Sequence, residues 1–111
     1  MQRYEMEDAV KNMVADDRYD GIVPLYLDMA QSAVMNRLYP LEPDVEWVDV
    51  PERFHGRTCE IAVYLINKRG AEGELSHREN GTERVYESAS IPASMFAGMV
   101  PFAGVPRKAD R

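Results

Sequence analysis

The sequence is poor in residues that build covalent cross-links and metal sites. It has one cysteine, Cys59, and two histidines among 111 residues. A single cysteine excludes an internal disulfide and most zinc sites that use cysteine ligands. The longest unbroken apolar run, residues 61–66, is too short to cross a membrane. The first ten residues carry acids where a signal peptide has a basic end and an apolar run. These absences predict a small soluble domain of an intracellular type.

Basic charge is also scarce. The chain has 13 Lys and Arg against 19 Asp and Glu, a net charge of −6, which disfavours a stand-alone nucleic-acid binder. Residues 1–52 contain 12 of the acids and 4 of the bases, a net charge of −8, and residues 53–111 carry the remaining +2. Such a division is suited to head-to-tail contact between copies of one chain. A solvated surface with no such role is the alternative.

Length and a hydrophobic content of 45 % predict one globular domain, residues 1–111, with a modest core. A first helix is predicted over residues 5–15, where apolar residues recur every three or four positions. A second helix is predicted from Asp20, as its N-cap, to Leu38, with Pro24 in its first turn and Pro40 as its stop.

Residues 39–50 read as a proline-rich acidic linker in extended form, in which Trp47 is expected to form a lid on the core. A third helix is predicted to open at Pro51 and to end at Gly70, which would supply a left-handed cap. Its apolar middle indicates the most buried helix, and Gly56 is expected to mark close packing.

Residues 71–90 have the pattern of a β-hairpin around Asn80 and Gly81, because a two-residue turn needs positive φ at both positions. This hairpin has too few apolar residues to bury itself against its own domain, so it is expected either to be floppy or to be ordered by a neighbouring chain. Residues 91–106 are predicted to form a short fourth helix, which Pro101 ends, and an apolar tail. The predicted fold is therefore mainly α: a small four-helix bundle, with its core in residues 5–70 and a protruding β-hairpin between the third and fourth helices.

No motif for catalysis, cofactor binding or metal binding is present. His55 and Cys59 share a helical face, but two such residues fall short of a zinc site, and a packed cysteine is the simpler interpretation. The acids at 42, 44, 46 and 49 lack the glycine and the final glutamate of a calcium loop, so they are predicted to form a solvated linker. A thiol or metal enzyme built on Cys59 and His55 remains an alternative. The main alternative is a small helix-turn-helix DNA-binding regulator, although no basic recognition helix is visible.

Four segments carry a family resemblance. Residues 69–73, 84–88, 91–95 and 99–105 read, in order, Arg-Gly-Ala-Glu-Gly, Arg-Val-Tyr-Glu-Ser, Ile-Pro-Ala-Ser-Met and Met-Val-Pro-Phe-Ala-Gly-Val. This series resembles the C-terminal half of the head–tail connector family of tailed phages, also called head-completion or adaptor proteins. The order of helices before residue 69 is similar as well.

The resemblance implies a structural virion protein at the head–tail interface, made in the bacterial host cytoplasm and without catalytic residues, cofactor, metal or membrane contact. It implies a ring, typically twelve-fold, beneath the portal protein, and it is compatible with copies that are monomeric when isolated. The ring would extend the channel through which DNA passes without sequence-specific binding, and would offer a surface to a tail-side completion or tail-terminator protein. The residues expected to contact other subunits or partners are Leu75, His77, Arg78, Glu83, Arg84, Val85, Tyr86, Ile91, Phe96, Phe102, Val105, Arg107 and Lys108.

Overall fold

Three α-helices form the body of the protein. The computed structural model describes residues 1–72 and 91–102, with side chains up to Arg69 in the first range. The helices are α1 (Arg3–Val14), α2 (Val23–Leu38) and α3 (His55–Glu72). The described residues contain no strand, and short 3-10 turns are formed by Asp17–Ile22, Trp47–Asp49, Glu52–Phe54 and Ala93–Phe96.

The core lies between the helices, and both α1 and α2 pack against α3. This confirms α3 as the central helix that its apolar middle predicted. The N-terminal halves of α1 and α3 lie side by side, as the distance of 3.8 Å between Cys59 Sγ and the carbonyl oxygen of Met6 shows. The fully or almost fully buried side chains include Met6, Val10, Leu27, Val34, Leu38, Ile61, Leu65 and Ile66.

Arg3 fastens the start of α1 to α2. Its guanidinium donates to the Gln31 side chain at 2.9 Å and to the carbonyl of Pro24 at 3.0 Å. It also forms ion pairs with Asp28 at 2.8 Å and with Glu7 at 2.9 Å. The forked, planar donor of arginine suits such a multiple contact, which a lysine could not reproduce. Arg3 therefore holds α1 and α2 together within the acidic half of the sequence.

Several predicted helix ends are wrong by a few residues. Asp20 is not an N-cap: it lies within the 3-10 turn Asp17–Ile22, and Asp16 caps that turn by accepting from the backbone N–H of Arg18 at 3.1 Å. Pro24 lies at the start of α2, as predicted. Gly70 is not a cap either, because α3 continues to Glu72. A glycine inside a helix costs only about 1 kcal/mol, which the packing of α3 offsets.

The predicted close packing at Gly56 is also wrong. Gly56 is exposed in the first turn of α3, and a Cβ built on it would meet no atom within 4 Å. Gly56→Ala is therefore expected to stabilise the protein by about 0.5–1 kcal/mol, because alanine loses less backbone entropy on helix formation. Urea unfolding followed by circular dichroism measures this change. An unchanged or lower stability would contradict the open surroundings of this residue.

The predicted fourth helix is not present, so the described residues form a three-helix body rather than a four-helix bundle. Between Pro92 and Gly98 the chain makes only the 3-10 turn Ala93–Phe96. Gly98 has a φ of +83°, which breaks any continuation of a helix. The predicted β-hairpin, apart from residues 71 and 72 at the end of α3, lies outside the described residues.

Residues 39–50 form consecutive turns rather than an extended linker. The N–H of Glu42 donates to the carbonyl of Tyr39 at 3.2 Å, and the N–H of Val45 donates to the carbonyl of Glu42 at 3.3 Å. Trp47 packs partly buried against the core, which confirms its predicted role as a lid, whereas Val48 is 78 % exposed. We call residues 40–48 the 40–48 loop.

Candidate assembly surface

The C-terminal segment, residues 91–102, folds back across α2 and α3. Ile91 and Met99 enter the hydrophobic core, with 6 % and 2 % of their surface exposed. Arg57 of α3 donates to the carbonyls of Ser94 at 3.3 Å and Met95 at 3.5 Å. The segment therefore belongs to the same packed unit as the three helices.

A second arginine holds the same segment from α2. Arg37 Nε donates to the carbonyl of Met99 at 3.3 Å, and its guanidinium lies 5.5 Å from the centroid of the Phe96 ring. Such a cation–π contact contributes about 0.5–1 kcal/mol at an exposed site. Both arginines donate to main-chain carbonyls that are distant in sequence. Such contacts cannot be predicted from the spacing of residue types along the chain.

Three parts of the chain meet at Tyr39, just after the end of α2. Its hydroxyl donates to the carbonyl of Asp49 at 2.7 Å, which closes the base of the 40–48 loop. Its ring lies 5.2 Å from that of Phe102, centroid to centroid, at an interplanar angle of 37°. The N–H of Phe102 donates to the carbonyl of Leu38 at 2.7 Å. Tyr39, Asp49 and Phe102 thus form one junction between α2, the 40–48 loop and the C-terminal segment.

The chain leaves and rejoins the described body at opposite ends of α3. It leaves at Glu72, and it is held again at Ser94 and Met95 by Arg57 in the first turn of that helix. Arg57 and Glu72 are 15 residues apart, which is about 22 Å along the helix axis.

His55 and Cys59 are packed into the fold rather than poised for chemistry. The His55 ring lies 4.8 Å from that of Trp47, and its Nε2 donates to the carbonyl of Val50 at 3.2 Å. Its Nδ1 then accepts from the N-terminal ammonium of Met1 at 3.1 Å. Because both ring nitrogens have partners, His55 does not act on the Cys59 thiol in this structure. Within residues 1–72 and 91–102, no three His, Cys, Asp or Glu side chains converge as metal ligands.

Cys59 is 1 % exposed, in agreement with its predicted packing. Burial is the main cause that raises the pKa of its thiol, and the negative charge of Glu60 adds to this effect. The unfolded thiol ionises near pH 8.5, so we expect stability to fall as the pH rises through that value, by up to about 1.4 kcal/mol per pH unit. Cys59→Ala should flatten this fall, although its cavity lowers stability at every pH. Urea unfolding at several pH values between 7 and 10 measures both slopes, and equal slopes would contradict the assignment to Cys59.

Of the predicted contact residues, the structure describes Ile91, Phe96 and Phe102. All three belong to the C-terminal segment that packs on α2 and α3. Ile91 is buried there, and the two phenylalanines are partly buried. The other predicted contact residues lie outside the described residues. Ile91 therefore fixes the segment in place, whereas the phenylalanines keep part of their rings accessible.

Several large apolar side chains are exposed, which the sequence patterns did not predict. They lie on α1, at the start of α2, in the 40–48 loop and in the C-terminal segment. Apolar residues exposed singly are normal in a folded domain, whereas a contiguous apolar patch is typical of a contact surface. The largest exposed fractions belong to Leu41, Val48, Val100, Tyr4, Leu25 and Met13.

These features define a class of protein: a small helical domain whose C-terminal segment packs on its core. The model of the phage gp6-like head-tail connector protein family matches residues 9–98. The chain belongs to this family of structural phage proteins. No curated protein and no solved structure gives a match. In the described part of the chain, no helix has both the length and the apolar character needed to cross a membrane.

Proposed function

We propose that the protein is a structural virion adaptor that assembles as a ring under the portal, extends the DNA channel and joins head to tail. The observation that carries this proposal is the family match over residues 9–98. The portal protein lies on one side of the proposed ring, and a tail-side completion or tail-terminator protein lies on the other. The location that follows is the head–tail interface of the virion, after synthesis in the bacterial host cytoplasm.

The proposed ring contains twelve copies, which meet through unlike surfaces, as any closed ring with a single subunit type requires. Its contacts come from the segment around Phe96 and Phe102, from the predicted hairpin and from the tail. Isolated copies stay monomeric until the portal gathers them. The net charge of −6 has the same sign as DNA, so a channel formed by this protein lets DNA pass without adhering. The contact residues proposed outside the described ranges are Leu75, His77, Arg78, Glu83, Arg84, Val85, Tyr86, Val105, Arg107 and Lys108.

Mixing the purified protein with portal rings tests this function. We expect native mass spectrometry to show the portal ring with about one connector copy per portal subunit. A monomeric state of the isolated protein is compatible with this outcome. Absence of portal binding at high concentrations of both proteins would contradict the proposed function.

The double variant Asn80→Ala/Gly81→Ala tests the predicted hairpin in the same assay. Alanine disfavours positive φ by about 1–2 kcal/mol per residue, so we expect assembly on the portal to weaken roughly ten-fold or more. Thermal unfolding of the isolated variant should change less, because the hairpin is predicted to protrude from the core. Asn36→Ala/Gly56→Ala is a matched control at exposed helical positions. Unchanged assembly of the hairpin variant would exclude this segment as an assembly element.

A further inference from the structure

We propose that the C-terminal tail, residues 103–111, docks on the 40–48 loop of its own chain. The loop presents two strongly exposed apolar side chains, Leu41 at 86 % and Val48 at 78 %. They lie near the two ends of the loop, which the Tyr39–Asp49 hydrogen bond of 2.7 Å holds together at its base. Burial of either exposed apolar side chain by another segment would be stabilising, because it removes apolar surface from water.

The described C-terminal segment stops at this surface. Phe102 stacks on Tyr39, and its N–H is bonded to the carbonyl of Leu38, so residue 103 begins beside the base of the loop. An extended chain covers about 3.4 Å per residue, which puts Val105 within about 10 Å of Phe102 and Lys108 within about 20 Å. The tail therefore reaches the whole loop without any rearrangement of the helices.

The chemistry of the tail matches that of the loop. The tail places Val105 near the anchored Phe102 and then carries Arg107, Lys108 and Arg111 against one acid, Asp110. Residues 40–50 contain four acids, Glu42, Asp44, Glu46 and Asp49, and no lysine or arginine. Leu41 and then the acids follow Tyr39 along the chain, as Val105 and then the basic residues follow Phe102. Opposite charges across a contact fix its register and orientation.

The tether selects the chain's own tail over that of a second copy. A segment joined to its site by a few residues is present there at an effective concentration in the millimolar range. A tail from another copy at micromolar concentration competes poorly with it. Release of this intrachain contact would free Val105, Arg107 and Lys108 for a neighbour or the portal; this last step rests on the proposed function, whereas the docking itself does not.

Paramagnetic labelling of the isolated full-length chain tests the docking. A nitroxide attached to Val105→Cys in ¹⁵N-labelled protein should remove most of the intensity of the amide signals of residues 41, 42 and 44–48. It should also quench Trp47, the single tryptophan of the chain. Buried Cys59 should stay unlabelled, which treatment of the wild-type chain with the same reagent verifies. Unchanged signals of α1–α3 show that the labelled variant is folded.

Charge variants in the labelled chain separate docking from mere proximity. Arg107→Glu/Lys108→Glu should restore the loop signals and the Trp47 fluorescence, whereas the charge-conserving Arg107→Lys/Lys108→Arg should leave both effects in place. Loop signals that keep their intensity in the labelled parent, or that stay weak after charge reversal, would overturn the proposal. So would signal loss in a mixture of labelled ¹⁴N chains with unlabelled ¹⁵N chains, because it would assign the contact to a second copy. None of these outcomes depends on binding to the portal.

Discussion

Replacing Ile91 with alanine is expected to lower the free energy of unfolding by about 2–4 kcal/mol. Ile91 is 6 % exposed and belongs to the same core cluster as the three helices. Truncation removes apolar burial and leaves a cavity that the surrounding helices fill only in part. The loss is a large fraction of the 5–15 kcal/mol that stabilises a typical domain. Urea unfolding followed by circular dichroism measures it.

Val100→Ala is the matched control in the same segment, because Val100 is 70 % exposed. Its expected effect lies within about 0.5 kcal/mol. If Ile91→Ala were as mild as this control, residues 91–102 would not unfold together with α1–α3. Comparison of the two variants therefore shows whether residues 91–102 and the three helices unfold as one cooperative unit.

Replacing Tyr39 with alanine is expected to cost about 3–5 kcal/mol, the range for a buried aromatic side chain. Only 2 % of Tyr39 is exposed, and its ring packs against Phe102. Tyr39→Phe keeps the ring and removes the hydroxyl that donates to Asp49, so it should cost about 1 kcal/mol. The two variants separate packing at the junction from closure of the loop.

The phenylalanine variant also has an expected pH dependence. Burial is the main cause that raises the pKa of Tyr39, and the negative charge of Asp49 adds to this effect. The unfolded tyrosine ionises near pH 10, so the wild-type protein should lose stability as the pH rises through that value, and Tyr39→Phe should lose less. Unfolding free energies measured from pH 8 to 11 follow this difference. Tyr4 is 66 % exposed, and Tyr4→Phe is the control for loss of a tyrosine hydroxyl at an exposed position, with an expected change in stability within about 0.5 kcal/mol.

Both variants bear on the proposed function, because the junction at Tyr39 joins the body of the subunit to its C-terminal segment. Ile91 and Met99 anchor this segment through burial, the ring of Phe102 packs against Tyr39, and Arg37 and Arg57 add main-chain hydrogen bonds. Loss of portal binding by Tyr39→Phe at unchanged helix content would show that closure of the 40–48 loop matters for assembly.

The sequence alone determined the helical class, the central position of α3, the role of Trp47 as a lid and, through an ordered series of residues, the connector family. These follow from local patterns: apolar spacing along a helix, and short segments that keep their order. The family match over residues 9–98 confirms the resemblance. The predicted contacts in the hairpin and the tail stay predictions.

Only the tertiary structure decided how residues 91–102 are used. Their prolines and apolar residues predicted a fourth helix. Instead, the chain forms only a 3-10 turn before Gly98, which has a positive φ, and Ile91 and Met99 on either side of this turn are buried in the core. Likewise, no local pattern indicates that Tyr39 closes a loop on Asp49 and stacks on Phe102, 63 residues later. The single cysteine excluded an internal disulfide and most zinc sites with cysteine ligands. Long-range packing decided which residues are buried in the core and which remain exposed, because contacts between distant residues leave no pattern in the local spacing of residue types.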